Sequence, residues 1–273
     1  MKKALLYIFA LLATQQVGFH LVVGVYMLFT NGNPDEGLPP VWNIAAMVVS
    51  SLCVLIVFLS AEWFKVSRTY LQSHPWSVLF WSAVAALGAI VPSLVINGLL
   101  PEWAEWVKEI VSKRNAQLEE LMRIPGGYMV VALLPPLVEE MVFRGCVLKV
   151  FLQWKPERKW LMIALSALIF SLLHMNPAQM VHTFLIGLLL GWMYERTRSI
   201  VPGVVYHWVN NSMAYVMFHV YQNPQTLQDI IGPGDGRLAM ALLFSLCILV
   251  PSLIQLNQRM KRVAPPTEDT MHA

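Results

Sequence analysis

Apolar stretches long enough to cross a bilayer recur along this chain with short breaks between them, and nothing else in the sequence limits its folding so much. A spanning helix needs about 20 mostly apolar residues. Eight segments approach that, at roughly 4–30, 41–62, 76–100, 126–151, 159–174, 177–195, 200–221 and 237–257. The breaks are marked by Asn33-Pro34, Pro39-Pro40, His74-Pro75, Lys155-Pro156, Asn176-Pro177 and the Gly/Pro-rich run 232–236. Of 273 residues, 57% are hydrophobic and 13% charged, against about 25% charged in a soluble domain. The expected fold class is all-α: a polytopic membrane helix bundle of about eight transmembrane helices. Its first partner is the lipid bilayer, and no nucleic acid partner is expected.

The N-terminus begins like a signal peptide, with Lys2 and Lys3 before an apolar core. It lacks an A-x-A cleavage pattern and stays apolar to Phe29, which predicts an uncleaved first span. Cys53, Cys146 and Cys247 all lie in apolar runs. Their odd number and wide spacing argue against a disulfide framework or a zinc site built on cysteine. Residues 101–123 are too charged to span. Trp103, Val107, Ile110, Val111, Leu118, Leu121 and Met122 recur there at helical spacing, with Glu109–Lys113 and Glu119–Arg123 on the wet side. An amphipathic surface helix is expected. The chain divides accordingly into 1–124, N-terminal helices plus the surface helix; 125–221, a core; and 222–273, a last helix and a polar tail.

Basic residues set the expected orientation. Lys2, Lys3, Lys65, Arg68, Lys155, Arg158, Lys159, Arg196, Arg198, Arg259, Lys261 and Arg262 all fall on one side of an eight-span chain. The opposite loops at 31–40 and 222–236 contain none. The positive-inside rule places both termini in the cytoplasm, and the expected location is the cell membrane, multi-pass.

Within this apolar chain, Glu139, Glu140 and Arg144 lie inside a predicted span. Each costs about 2.5–3.5 kcal/mol to insert at mid-helix, so three within six residues need a reason. Glu140 and Arg144 are i,i+4 and can pair on one face. Glu139 sits 100° around the helix and lacks that partner, a setting in which a carboxylate becomes useful as a general base. Counted by helical rise, His174 lies about 21 Å beyond the basic turn, His207 about 10 Å and Asn211 about 16 Å beyond Val201, and Glu139 about 16 Å before Lys149. Four polar side chains from three helices therefore sit at comparable depth, facing one expected cavity that opens toward the cytoplasm.

Glu139-Glu140-x-x-x-Arg144, Phe170-x-x-x-His174 and His207-x-x-x-Asn211, in that order on separate helices, resemble the motif set of the CAAX prenyl endopeptidase and bacteriocin-processing family of intramembrane proteases. The likeness covers about 125–220. It implies that Glu139 and His174 activate water, that His207 and Asn211 form an oxyanion hole, and that Arg144 supports the glutamate pair. Peptide hydrolysis needs an acid–base pair and hydrogen bonds to the tetrahedral oxyanion, and these side chains can supply both.

No cofactor is expected on that reading. Zinc held by Glu139, His174 and His207 is the alternative, since three protein ligands plus water form a legitimate catalytic site. No G-x-S-x-G is present, and Cys146 faces 200° away from Arg144. His20 and His182 read as packing or interhelical contacts. A scaffold, an immunity factor or a proton-coupled transporter would use the same buried residues without proteolysis. The expected substrate is a peptide or a membrane-anchored protein.

Overall fold

Prolines open several helices close to where the sequence predicts. A helix's first turn has no use for the N–H that proline lacks, and the fixed φ suits it. The computed structural model describes residues 1–30, 32–33, 37–65, 68–98, 105–221 and 227–260. Helix α1 (Lys2–Thr30) is followed by α2 (Pro40–Ser60), the short α3 (Arg68–Gln72), α4 (Trp76–Gly98) and α5 (Glu105–Arg123). A nearly unbroken helix then runs over 129–154. It comprises a π-helical turn Met129–Leu133, α6 (Leu134–Val142), a second π-helical turn Phe143–Leu148, and α7 (Lys149–Trp154). After a 3₁₀ turn at Pro156–Arg158 come α8 (Lys159–Leu173), α9 (Pro177–Thr197), α10 (Val201–Val220), the short α11 (Leu227–Ile231) and α12 (Asp235–Arg259). There is no strand among the described residues, and the all-α class is borne out.

All eight expected long helices are present. Four of them, α1, α2, α4 and α12, are long and apolar enough to cross a membrane by length and composition. The others fall short of those limits for physical reasons. The 15 residues of α8 rise only about 22 Å against a hydrocarbon core of about 30 Å. The 129–154 helix is divided by its π-helical turns, and α9 and α10 are diluted by polar residues. Three of the four helices that miss the span criteria, 129–154, α8 and α10, carry the polar motifs. A count of eight spans is therefore not established by length and apolarity.

Helix 129–154 runs through the middle of the bundle. Its turn Phe143–Leu148 is buried on every side, as a helix surrounded by other helices must be. Around it one core gathers Tyr7 and Leu11 of α1, Val54 and Phe58 of α2, and Met162, Ile163 and Phe170 of α8. A second core joins Ala85 and Ala86 of α4 to Ile186, Leu190 and Met193 of α9, with Tyr206 and Leu256. Large apolar side chains such as Phe9, Leu28 and Phe244 are left facing outward, as expected of helices solvated by lipid.

The amphipathic helix is present over its described part, with Val107, Leu121 and Met122 buried and Trp106 and Ile110 exposed. Ile110 thus departs from the expected covered stripe. Glu109 and Lys113 pair at 2.8 Å on the exposed side. Trp103, the side chain of Arg68, the loop residues 34–36 and 222–226, and the polar tail from 261 lie outside the described residues.

Between apolar helices in lipid, close packing and interhelical hydrogen bonds supply the attraction. Where α4 meets α12, a Cβ on Gly88 would lie 2.7 Å from the backbone N of Leu249, and Ser245 Oγ donates to the Gly88 carbonyl at 2.7 Å. We expect Gly88→Val to force these helices apart and to destabilise the protein by about 1–3 kcal/mol. Gly24→Ala, where nothing lies within 4 Å of the added methyl, should leave the melting temperature unchanged or slightly raised. Thermal unfolding in detergent measures both.

Candidate active site

Glu140 and Arg144 are the most completely buried charges of the site, at 0% and 1% relative exposure. Arg144 Nη1 donates to Glu140 Oε1 at 2.8 Å. Its Nη2 donates to the Gly187 carbonyl on α9 at 3.3 Å, and its guanidinium lies 4.4 Å from the centre of the Phe170 ring on α8. The pair expected from i,i+4 spacing exists, and it ties three helices together.

The same carboxylate reaches α10. His207 Nδ1 stands 3.4 Å from Glu140 Oε1, and its Nε2 stands 3.8 Å from Glu139 Oε2. A carboxylate accepts, so Nδ1 carries the proton on the Glu140 side. This approach needs α10 to pass close by, which Pro202-Gly203 permits. A Cβ on Gly203 would lie 2.8 Å from Glu140 Oε2. Glu139 Oε2 and Glu140 Oε2 are buried oxygens that find no hydrogen-bond partner in the protein.

His174 closes α8 as its C-cap. The next residue, Met175, takes a left-handed φ of 49°, the conformation that commonly ends a helix and usually falls to Gly or Asn. His174 Nδ1 bonds the Phe170 carbonyl at 2.9 Å, and the two rings meet edge-on at 4.6 Å. A carbonyl oxygen only accepts, so in the neutral ring Nδ1 holds the proton and Nε2 keeps its lone pair. Phe170 also stands 6.1 Å from the His207 ring. One buried aromatic thus spaces Arg144, His174 and His207.

Glu139, His174, His207 and Asn211 all line one cavity of about 470 Å³. The expected convergence is therefore found. The lining extends to Leu118 and Met122 of α5 and to Met217 and Phe218 at the end of α10, the end of the bundle away from the 156–158 turn. The placement of α5, which the sequence left unassigned relative to the motifs, accounts for this extension. Its C-terminal turn is fixed over this end by Tyr215 Oη donating to the Met122 carbonyl at 3.3 Å and by Arg123 over the Phe218 ring at 5.2 Å.

His182, expected as a packing or interhelical contact, also lines the cavity, with Gln179, Thr183 and Asn210. Gln179, His182, Thr183 and Ile186 share a face of α9 at i, i+3, i+4 and i+7, a periodicity that could have marked them. His20 bonds the Gln16 carbonyl one turn back, a local contact. Cys53, Cys146 and Cys247 are free. As arranged here, no three His, Cys, Asp or Glu side chains among the described residues gather closely enough to hold a metal ion.

The 21%-identical UPF0177 protein YaiF of Lactococcus lactis subsp. lactis (strain IL1403) aligns over 203 residues, 70% of this chain and 88% of YaiF. No solved structure matches the chain. Residues 123–213 match the family described as type II CAAX prenyl endopeptidase Rce1-like. All seven motif residues fall inside that match, so the resemblance carried by the three motifs is borne out: over residues 123–213 this chain is similar to the Rce1-like type II CAAX prenyl endopeptidases.

Proposed function

We propose that this cavity is the active site of an intramembrane endopeptidase, which hydrolyses a peptide bond of a membrane-associated protein or peptide with water activated by Glu139 and His174. The observation that carries the reading is the meeting of Glu139, His174, His207 and Asn211, from three helices, on one cavity inside the family-matched segment.

Glu139 Oε2 accepts a proton from water as the water oxygen attacks the substrate carbonyl carbon. The new oxyanion is held by Asn211 and by His207. His207 brings both ring protons to the reaction and keeps them throughout, Nδ1–H facing Glu140 and Nε2–H directed to the oxyanion. When the C–N bond breaks, the amine leaves with a proton passed on from Glu139 through His174. The neutral Nε2 of His174 can take and return that proton. Glu140 and Arg144 do not touch the reacting atoms and keep His207 and the helix bearing Glu139 in place. Met47, Ile90, Leu94 and Ile186 form apolar walls, which suits a substrate segment that enters from lipid. Zinc chemistry would require Glu139, His174 and His207 to gather as ligands, and as placed they do not form such a set.

On the same reading the protein sits in the cell membrane with both termini in the cytoplasm, the side that bears Lys65, Lys155 and Lys159. In a cysteine-free background, Lys65→Cys should resist an impermeant thiol reagent in intact cells and react once the cells are opened. Labelling in intact cells would reverse the orientation.

Glu139→Gln keeps the shape of the side chain and removes the proton acceptor. Cleavage should fall by about 100-fold or more while expression stays normal. Full cleavage by Glu139→Gln would overturn Glu139 as the base, and no cleavage by the unaltered protein would favour a scaffold or immunity protein. A chelator should leave activity intact, and its loss on chelation with return on added zinc would establish the metal mechanism. Glu140→Gln leaves Arg144 unpaired in the core, a defect of about 3–5 kcal/mol that should appear first as lower yield or melting temperature. Arg144→Met added to it should restore part of that stability.

A further inference from the structure

The carbonyl of Val131 has no backbone donor open to it. In an α-helix its partner would be the N–H four residues on, at Pro135, and in a π-helix the N–H five residues on, at Pro136. Proline has none. Both registers matter here, because Met129–Leu133 is π-helical, Leu134 N–H bonds back five residues to the Met129 carbonyl, and α6 starts at Leu134. Val131 and Pro135 also line the cavity. A carbonyl freed inside a membrane protein must find another donor.

Asn211 provides it. Its Nδ2 donates to the Val131 carbonyl at 3.2 Å. This bond settles which way the amide points, since a carbonyl cannot accept from Oδ1. Oδ1 in turn accepts from Asn210 Nδ2 at 3.4 Å. Nδ2 has two protons. One is committed to Val131, and the second is left for whatever occupies the cavity.

We propose that Pro135 and Pro136 are positioning residues, which by leaving the Val131 carbonyl open hold Asn211 with one amide proton directed into the cavity. The use made of that proton rests on the proteolytic reading above, whereas its placement does not. A donor fixed before substrate arrives is worth more to an oxyanion than one that must be oriented during the reaction. Prolines that served only to begin α6 would have no coupling to Asn211.

A double-mutant cycle on the full-length protein tests this. Pro135→Ala with Pro136→Ala restores an N–H in either register, and Asn211→Ala removes the side-chain donor. Asn211→Ala should lower the melting temperature of the otherwise unaltered protein, and lower it by less than half as much in the Ala-Ala background. There the new N–H satisfies Val131. Equal losses in both backgrounds would overturn the proposal. With a cleavable peptide, the Ala-Ala variant should lose about 10-fold in kcat with KM within about twofold, a fraction of the 100–1000-fold worth of an oxyanion donor. A change confined to KM would count against positioning.

A second measurement needs no proline variant. In infrared spectra with ¹³C-carbonyl valine, assigned through Val131→Leu, Asn211→Ala should move the Val131 band to higher frequency, and an unmoved band would refute the contact. Melting temperatures coupled as expected in a protein that cleaves nothing would support the anchoring and overturn the proteolytic reading instead.

Discussion

The buried pair between Glu140 and Arg144 is the interaction on which the rest of the site depends. Two charges inside a membrane bundle are tolerated only when each is paired and its remaining hydrogen-bonding capacity is largely used. Arg144 satisfies this through Glu140, the Gly187 carbonyl and the Phe170 ring; Glu140 meets Arg144 and His207 through Oε1, and its Oε2 is left without a partner. Those partners sit on α8, α9 and α10. The pair fixes the spacing of four helices, and a loss at any contact leaves a charge in the core. The glycines Gly187 and Gly203 belong to the same arrangement, because they let α9 and α10 approach closely enough to meet it.

Irregular backbone surrounds this pair. Helix 129–154 changes register twice, at Met129–Leu133 and Phe143–Leu148, and the Glu-Glu dipeptide lies between the two π-helical turns. Such turns cost regular hydrogen bonds, which a membrane protein tolerates only where neighbouring helices or side chains replace them. Ser166 Oγ reaches the Phe143 carbonyl at the second turn, and Asn211 reaches Val131 at the first. Around the Tyr128 hydroxyl, just before the first turn, Trp208 Nε1 and Ser212 Oγ both lie within hydrogen-bond distance. The helix is thus stitched to α8 on one side and α10 on the other, and α6 presents Glu139 to the cavity between them.

Much of this was legible in the residues. Helix ends followed from Pro40, Pro177 and the breaks at Asn33-Pro34 and Lys155-Pro156, because proline acts on local backbone geometry. The i,i+4 pairing of Glu140 with Arg144 needed no tertiary information either. The coincidence of Glu139, His174, His207 and Asn211 could be counted from helical rise, since apolar helices run nearly parallel. What escaped the sequence depends on lateral neighbours. The face of α9 bearing Gln179, His182 and Thr183 turns to the cavity while Ala167 and Ile163 of α8 pack closely on Gly187 and Gly191. The position of α5 against the site rests on Tyr215 and Phe218, contacts that no local pattern announces. The end of α8 after 15 residues, at His174, likewise carried no clear local mark.

The central claim is that the cavity delivers water to a peptide carbonyl. Single-turnover cleavage of a membrane peptide by the purified protein in H₂¹⁸O tests it most directly, with mass spectrometry of both fragments. The account predicts one heavy oxygen in the newly formed carboxylate of the N-terminal fragment and none in the amine fragment. A cleaved peptide whose new end carries no heavy oxygen, or carries another acceptor group instead, would contradict it.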